Sequence, residues 1–242
     1  MTEIQIIPNH WKLKKLGEIC KILPGYGFPK NLQGIKKGEF PFYKVGDISR
    51  NVKTGNRILE LCDNFIDEKT LHKLKAKPYP KNTIVFAKIG EGLKLNRRAI
   101  IGTPGIVDNN AIGVKAIENI CEDLFLFYFL NTVKLEDYSK ATTVPSVRKS
   151  EIEEIQIPVP PLSEQKAIVD KIEELLSDLD NGKQQLLTVH KQLKVYRQSL
   201  LKWAFEGKLT NKNVKEDELP NGWKWVNIGS FLADKKKGMA TG

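Results

Sequence analysis

At 242 residues and 40% hydrophobic content, the chain has room for one large domain, or one medium domain plus an extension. No window is apolar enough to cross a bilayer, and the N-terminus lacks a charged start followed by an apolar run, so the prediction is a cytoplasmic protein without a membrane span. Cys20, Cys62 and Cys121 are odd in number and lack C-x-x-C spacing, which argues against a disulfide framework; a formal charge of +10 favours polyanionic partners without naming one.

In chain order, residues 1–160 read as mixed α and β. Short apolar runs at 40–45 (FPFYKV), 83–87 (TIVFA) and 111–117 (AIGVKAI) are bounded by Gly, Pro and Asn, as strands usually are. Gly25 and Gly27 read as a turn. The stretch Glu122 to Leu135 is apolar on most faces and too long for a strand, which predicts a buried helix. Ser150 is placed to cap a short helical turn at Glu151 to Ile155. The run Ile157 to Leu162 (IPVPPL) must be extended, because each proline pushes its predecessor out of α space; it marks the predicted domain boundary.

Ser163 is the predicted N-cap of a long helix, with Glu164 and Asp170 near its positive end. Ile168, Ile172, Leu175, Leu179, Gly182, Leu186, Val189, Leu193, Tyr196, Leu200 and Trp203 follow at alternating spacings of four and three, the pattern of a coiled-coil seam. Gly207 stands where a left-handed C-terminal cap belongs, and a helix from Ser163 to Glu206 would be roughly 65 Å long. Asn181-Gly182 is the exception in the seam. Glycine there costs about 1 kcal/mol against alanine, and it either admits a partner helix closely or breaks the helix in two; the continuous helix is the expectation. Such a seam needs another helix, supplied by a second copy or by another subunit.

The two ends carry a repeat. Asn9, Trp11, Lys12, Leu16 and Gly17 match Asn221, Trp223, Lys224, Ile228 and Gly229 without a gap, and Ile19 matches Phe231. The chain therefore reads as one unit of domain and helix followed by the start of a second. The predicted division is a globular domain over 1–160, a helix over 161–207, and a linker with the start of the second repeat over 208–242, where the basic tail 235–242 is expected to be disordered.

Several motifs together resemble the specificity subunits of type I restriction–modification systems, in a form with one target-recognition domain where the typical subunit has two. They are Trp11 with Gly17-Glu18, the run 42–48 (FYKVGDI), the run 86–92 (FAKIGEG), Asp108-Asn109-Asn110, the run 143–147 (TVPSV), and the run 157–165 (IPVPPLSEQ) leading into the heptads. The resemblance implies an α+β fold: a mixed α/β target-recognition domain followed by a coiled-coil helix. It implies double-stranded DNA as ligand and methyltransferase (M) subunits as partners, with restriction (R) subunits reached through them. It also implies that a second copy, packed as an antiparallel homodimer, restores two recognition domains, so that two-fold symmetry dictates an inverted-repeat target.

On that reading the DNA-contact candidates fall into clusters. Lys88, Lys94, Asn96, Arg97 and Arg98 surround Gly90 and Gly92, whose small size lets backbone approach a phosphate; read without the resemblance, this is a solvated hairpin loop. Arginine reads guanine and asparagine reads adenine bidentately. Arg50, Lys53 and Arg57 form a second cluster, and Lys73, Lys75 and Lys77 a third suited to phosphates; Lys44, Thr143, Ser146 and Arg148 complete the set.

No G-x-x-x-x-G-K-[ST] loop and no Asn-Pro-Pro-Phe/Tyr tetrapeptide is present, and His10, His72 and His190 have no metal-ligand spacing with the cysteines. No catalytic residue, metal or cofactor is expected. The competing function classes are a coiled-coil DNA-binding scaffold without sequence targeting, and a fragment of a restriction enzyme with its own catalysis.

Overall fold

The computed structural model describes residues 7–60, 62–141, 143–211, 213–215 and 218–230. Phe231 and the basic tail lie outside them. In chain order the elements are β1 (Lys12–Lys15), α1 (Leu16–Ile19), β2 (Cys20–Pro24), β3 (Phe40–Tyr43), α2 (Val45–Lys53), β4 (Ile58–Leu59), β5 (Phe65–Ile66), α3 (Glu68–Lys73), β6 (Ile84–Ala87), α4 (Gly90–Lys94), β7 (Arg98–Ile101), β8 (Ile106–Val107), β9 (Ala111–Ala116), α5 (Asp123–Thr132), α6 (Lys149–Glu153), β10 (Gln156–Val159) and α7 (Leu162–Phe205). The chain is mixed α/β followed by one long helix. It divides into two compact units, Met1–Glu174 and Leu175–Gly242, and the division falls inside α7.

In the first unit a five-stranded sheet in the order β2-β9-β6-β7-β4 forms the backbone of the core, with a three-stranded sheet β5-β3-β8 and a two-stranded sheet β1-β10 beside it. The three apolar runs singled out in the sequence are β3, β6 and β9. β6 lies between β9 and β7, antiparallel to both, and all four of its residues are buried, as a central strand requires. α5 covers this sheet with Phe125, Leu126, Phe127 and Leu130 buried. Fully burying each of those side chains contributes about 2 kcal/mol.

Two expected caps differ. The short helix α6 begins at Lys149, and the Arg148 N–H donates to Glu151 Oε2 (2.8 Å), so Arg148 and not Ser150 occupies the N-cap. α7 begins at Leu162 rather than after Ser163, because the Pro161 carbonyl already accepts from the N–H groups of Glu164 (2.9 Å) and Gln165 (3.0 Å).

The extended 157–162 run is partly a strand. β10 pairs antiparallel with β1, setting Leu13 opposite Pro158; in a two-stranded sheet an outward proline nitrogen breaks no ladder. This pairing closes the unit, bringing its first strand to the strand that leads into α7. Trp11 Nε1 then donates to Glu164 Oε1 (3.1 Å), and His10 Nε2 lies 2.9 Å from Glu164 Oε2. Gln165 is fully buried: it accepts from Glu122 N–H (2.8 Å) and donates to the carbonyls of Pro160 (2.9 Å) and Ile120 (3.1 Å). The first turn of α7 is thereby fixed to the unit.

In the second unit α7 runs on without a break through Asn181-Gly182. A Cβ built at Gly182 would meet nothing within 4 Å. The helix ends as the sequence predicts: Gly207 has φ +71°, Lys208 N–H reaches Trp203 O (2.9 Å), and Gly207 N–H reaches Ala204 O (3.1 Å). Ile228–Ser230 forms a 3-10 turn at the positions that correspond to the start of α1. Trp223, Trp225 and Ile228 stay exposed, where the matching Leu16 is fully buried.

Candidate nucleic-acid interface

Four of the segments singled out as motifs converge at one end of the sheets. β3, β6 and β8 end there, and backbone hydrogen bonds tie their exits together. Asp108 N–H donates to Tyr43 O (2.9 Å), Lys88 N–H to Asn110 O (2.9 Å), Val147 N–H to Lys88 O (2.9 Å), and Gly90 N–H to Pro145 O (2.8 Å). The runs 42–48, 86–92, 108–110 and 143–147 therefore share one surface. Gly92 is needed for close packing, since a Cβ would stand 2.8 Å from both Ala87 Cβ and Val45 Cγ1. Gly90, with φ +65°, provides the left-handed turn into α4.

Asp108 organises this surface. Burial pushes its carboxyl upward in pKa, against backbone N–H groups of Asn110, Val45 and Ala111 and the ammonium of Lys44, which favour the charged form. Its side chain accepts from Asn110 N–H at 2.9 Å, and Asn109 and Asn110 are held exposed at the turn. Gly25 packs on the same turn so closely that a Cβ would lie 1.9 Å from the Asp108 carbonyl oxygen.

The charged candidates sort by their surroundings. Lys88 and Arg97 are half-buried, Lys94, Arg148 and Thr143 exposed, and none of the three lysine or arginine side chains Lys88, Lys94 and Arg97 forms an ion pair among the described residues. Ser146 sits beside them, its N–H donating to Ser139 Oγ (2.9 Å). Lys44 lies 5.2 Å from the Phe28 ring centroid and donates to Gln33 Oε1 (2.7 Å). Lys75, with φ +49°, and Lys77 are exposed on the connection after α3, where the Lys77 N–H donates to Tyr26 OH (3.0 Å).

Three expected contacts are drawn inward instead. Arg98 is 2% exposed in β7; it donates to Asn96 O (2.9 Å), Asn96 Oδ1 (3.0 Å) and Val133 O (2.7 Å), and burial pulls its pKa down to about 10. Asn96 also donates to Val133 O (2.9 Å), so its amide is spent inside the fold. Arg57 pairs with Glu173 and donates to Tyr128 OH (2.8 Å). The segment 88–98 is accordingly a short helix between two core strands and not a hairpin loop. Arg50 is exposed but held by Asp47 and Asp63, and Lys53 stands exposed at the far end of α2. The second cluster thus divides: Arg57 faces the helix, and Arg50 is neutralised by carboxylates.

Sequence reasoning passed over the segment 25–39, which carries the exposed Lys30, Lys36 and Lys37 and whose Gln33 accepts from Lys44 Nζ. Its signal was a Gly- and Lys-rich run without strand or helix periodicity. The three cysteines are free; burial pushes Cys20 and Cys121 up to about 12 and Cys62 to about 11, so none is a thiolate nucleophile near neutral pH. Among the described residues no group of three or more His, Cys, Asp and Glu side chains is placed to hold a metal, and no helix is long and apolar enough to cross a membrane.

Comparison with known proteins identifies the family. A family model for the type I restriction modification DNA specificity domain matches residues 8–189. The specificity subunit of the type I restriction enzyme EcoKI from Escherichia coli (strain K12) is 23% identical over 242 residues, covering 97% of this chain and 51% of that protein. The MjaIX specificity subunit of Methanocaldococcus jannaschii is 29% identical over 188 residues, covering 76% of this chain and 42% of its own length. The chain thus spans about half the length of the curated relatives it matches. Among solved structures, the HsdS subunit from Thermoanaerobacter tengcongensis superposes with a TM-score of 0.62 at 18% identity, over 85% of this chain and 47% of that one. That likeness bears on the fold.

Proposed function

We propose, because the chain belongs to the type I restriction modification DNA specificity domain family, that it reads half of a bipartite DNA site and directs methyltransferase subunits, and restriction subunits through them, to that site without catalysing a reaction itself. The observation that carries this reading is the shared surface at the strand ends. Lys44, Lys88, Lys94, Arg97 and Arg148 bring cationic side chains to it, while Ser146 and the Asn109-Asn110 turn offer neutral hydrogen-bonding groups. Cations there position phosphates, and the neutral groups suit base edges.

The helix supports a partner of the same kind. From Leu175 to Tyr196 the apolar residues of its seam are uncovered, with Leu179 68% and Leu186 73% exposed. Its charge is also polarised. Asp170, Glu174, Asp178 and Asp180 occupy the N-terminal half, while Lys183, Lys191, Lys194, Arg197 and Lys202 follow Gly182 with no carboxylate among them up to Phe205. Two copies packed antiparallel set each acidic half against a basic half, whereas a parallel pair sets like against like. The reading is therefore an antiparallel homodimer that presents two recognition units to an inverted-repeat target.

The test is adenine methylation mapped genome-wide in cells that express this chain together with its methyltransferase subunit. Methylation at a bipartite inverted motif, lost when this chain is omitted, is expected. The same methylation pattern with and without the chain would refute the proposal.

A further inference from the structure

Segment 25–39 joins β2 to β3 and contains no regular element except a 3-10 turn at Lys30–Leu32. It is anchored firmly for so irregular a stretch. The Phe28 ring stacks on Phe42 with centroids 3.9 Å apart and planes 11° from parallel. Gly34, with φ +87°, donates its N–H to Asn64 Oδ1 (2.9 Å), and the Ile35 carbonyl accepts from Phe65 N–H (2.7 Å). Lys44 closes the base of the segment through Gln33, so one residue belongs both to the strand-end surface and to this loop.

Between these anchors the side chains of Lys30 and Asn31 stand exposed, and Lys36 and Lys37 follow beyond Gly34. A carboxamide next in sequence to the exposed Lys30, on an anchored backbone, matches what a duplex edge presents. The amide has one donor pair and one acceptor, which complements N6 and N7 of adenine, and the lysines suit the phosphates on either side. Because the anchors fix the loop before DNA arrives, little ordering opposes binding.

We propose that segment 25–39 is a base-reading element of the recognition unit, with Asn31 contacting a base edge in the major groove and Lys36 and Lys37 holding the flanking phosphates. The inference rests on the DNA-reading function above and names the element that sets part of its sequence choice.

The experiment combines methylation mapping with binding of the purified chain–methyltransferase complex to a duplex carrying the mapped motif. In Asn31→Ala, and equally in the isosteric Asn31→Asp, discrimination at one motif position falls about ten-fold or more, while the other positions hold. In the double variant Lys36→Ala/Lys37→Ala the motif is unchanged, but the slope of log affinity against log salt becomes shallower by about two. Both sites are exposed, so thermal midpoints should match the unaltered chain. An unaltered motif in both Asn31 variants, together with an unaltered salt slope in the double variant, overturns the inference and leaves the DNA-reading function standing. A wild-type chain that confers no motif overturns both.

Discussion

Arg57 and Glu173, 116 residues apart in sequence, form an ion pair that joins the strand-end side of β4 to the third turn of α7. Tyr128 of α5 completes the group by hydrogen-bonding both partners, and its hydroxyl is pushed up to about 12, chiefly by burial. Three elements meet at this one guanidinium. Arg57→Ala should destabilise the chain by about 1 kcal/mol, since both side chains remain about a third exposed and solvent screens the pair. It should leave the salt dependence of DNA binding unchanged, whereas removing a phosphate contact would make that dependence shallower. The charge-exchanged double variant Arg57→Glu/Glu173→Arg should recover part of the loss in thermal unfolding.

The same pair gives a pH dependence of known sign. Hydrogen bonding to Arg57 holds the Glu173 carboxyl below its ordinary value of 4.5. A depressed folded pKa contributes stability that is present above the unfolded value and is lost as pH falls through the folded one. The difference in thermal midpoint between the unaltered chain and Glu173→Gln should therefore be constant from pH 7 down to about pH 5 and shrink below that. A difference that grows on acidification would contradict the pairing.

What the sequence disclosed, and what it hid, follows from range. β3, β6 and β9 were legible because each is a short apolar run with a breaker at its edge, and α7 because heptad spacing is local. β1 was not legible: Lys12 to Lys15 carries a single apolar residue, and it becomes a strand only by pairing with Gln156 to Val159 at the other end of the unit. The site divides the same way. Its motifs were visible as clusters of charge and glycine, but burial is a long-range property. Arg97 and Arg98 look alike as letters, and only the Val133 carbonyl from a distant turn reveals that one of them serves the core.

That neighbouring pair yields a sharp contrast. Arg98→Ala removes donors from three acceptors, leaves a cavity beside Phe86, and should cost about 3 kcal/mol in denaturant unfolding. Arg97→Ala removes a half-buried cation without an ion-pair partner among the described residues. It should leave stability within about 0.5 kcal/mol and weaken DNA binding uniformly across sequences. Loss of binding without loss of stability in Arg98→Ala would reverse these assignments.

Gly25 and Gly27 offer a second contrast, this time of backbone contact. A methyl group at Gly25 would collide with the Asp108 carbonyl at 1.9 Å and with the Ala111 carbonyl at 2.8 Å, while a methyl at Gly27 would meet nothing within 4 Å. Gly25→Ala should displace the Asp108–Asn110 turn, destabilising by about 2 kcal/mol and weakening DNA binding together with it. Gly27→Ala should be nearly neutral in both measurements. Equal effects at the two positions would show that the turn does not rest on Gly25.

The helix seam decides the assembly. If two copies pack along α7, Leu179 and Leu186 pass from 68% and 73% exposure to burial, each contributing about 2 kcal/mol per copy. Leu186→Glu then loses that contribution twice in a symmetric dimer and buries two carboxylates besides, which corresponds to a rise in dimer Kd of at least about a thousand-fold. Sedimentation should show a dimer for the unaltered chain and a monomer for Leu186→Glu at the same concentration, with helix content by circular dichroism retained at low temperature. Orientation is tested separately by charge. Reversing Lys191 and Lys194 to Glu takes the half after Gly182 from five cations to three cations and two carboxylates, so in the antiparallel arrangement it loses most of its attraction for the acidic half of the partner. In a parallel arrangement the same change relieves the repulsion between the two basic halves and should tighten association. Weakened association, by a margin that shrinks at high salt, is therefore expected for the antiparallel pair, and association strengthened by this reversal or indifferent to it would exclude that arrangement.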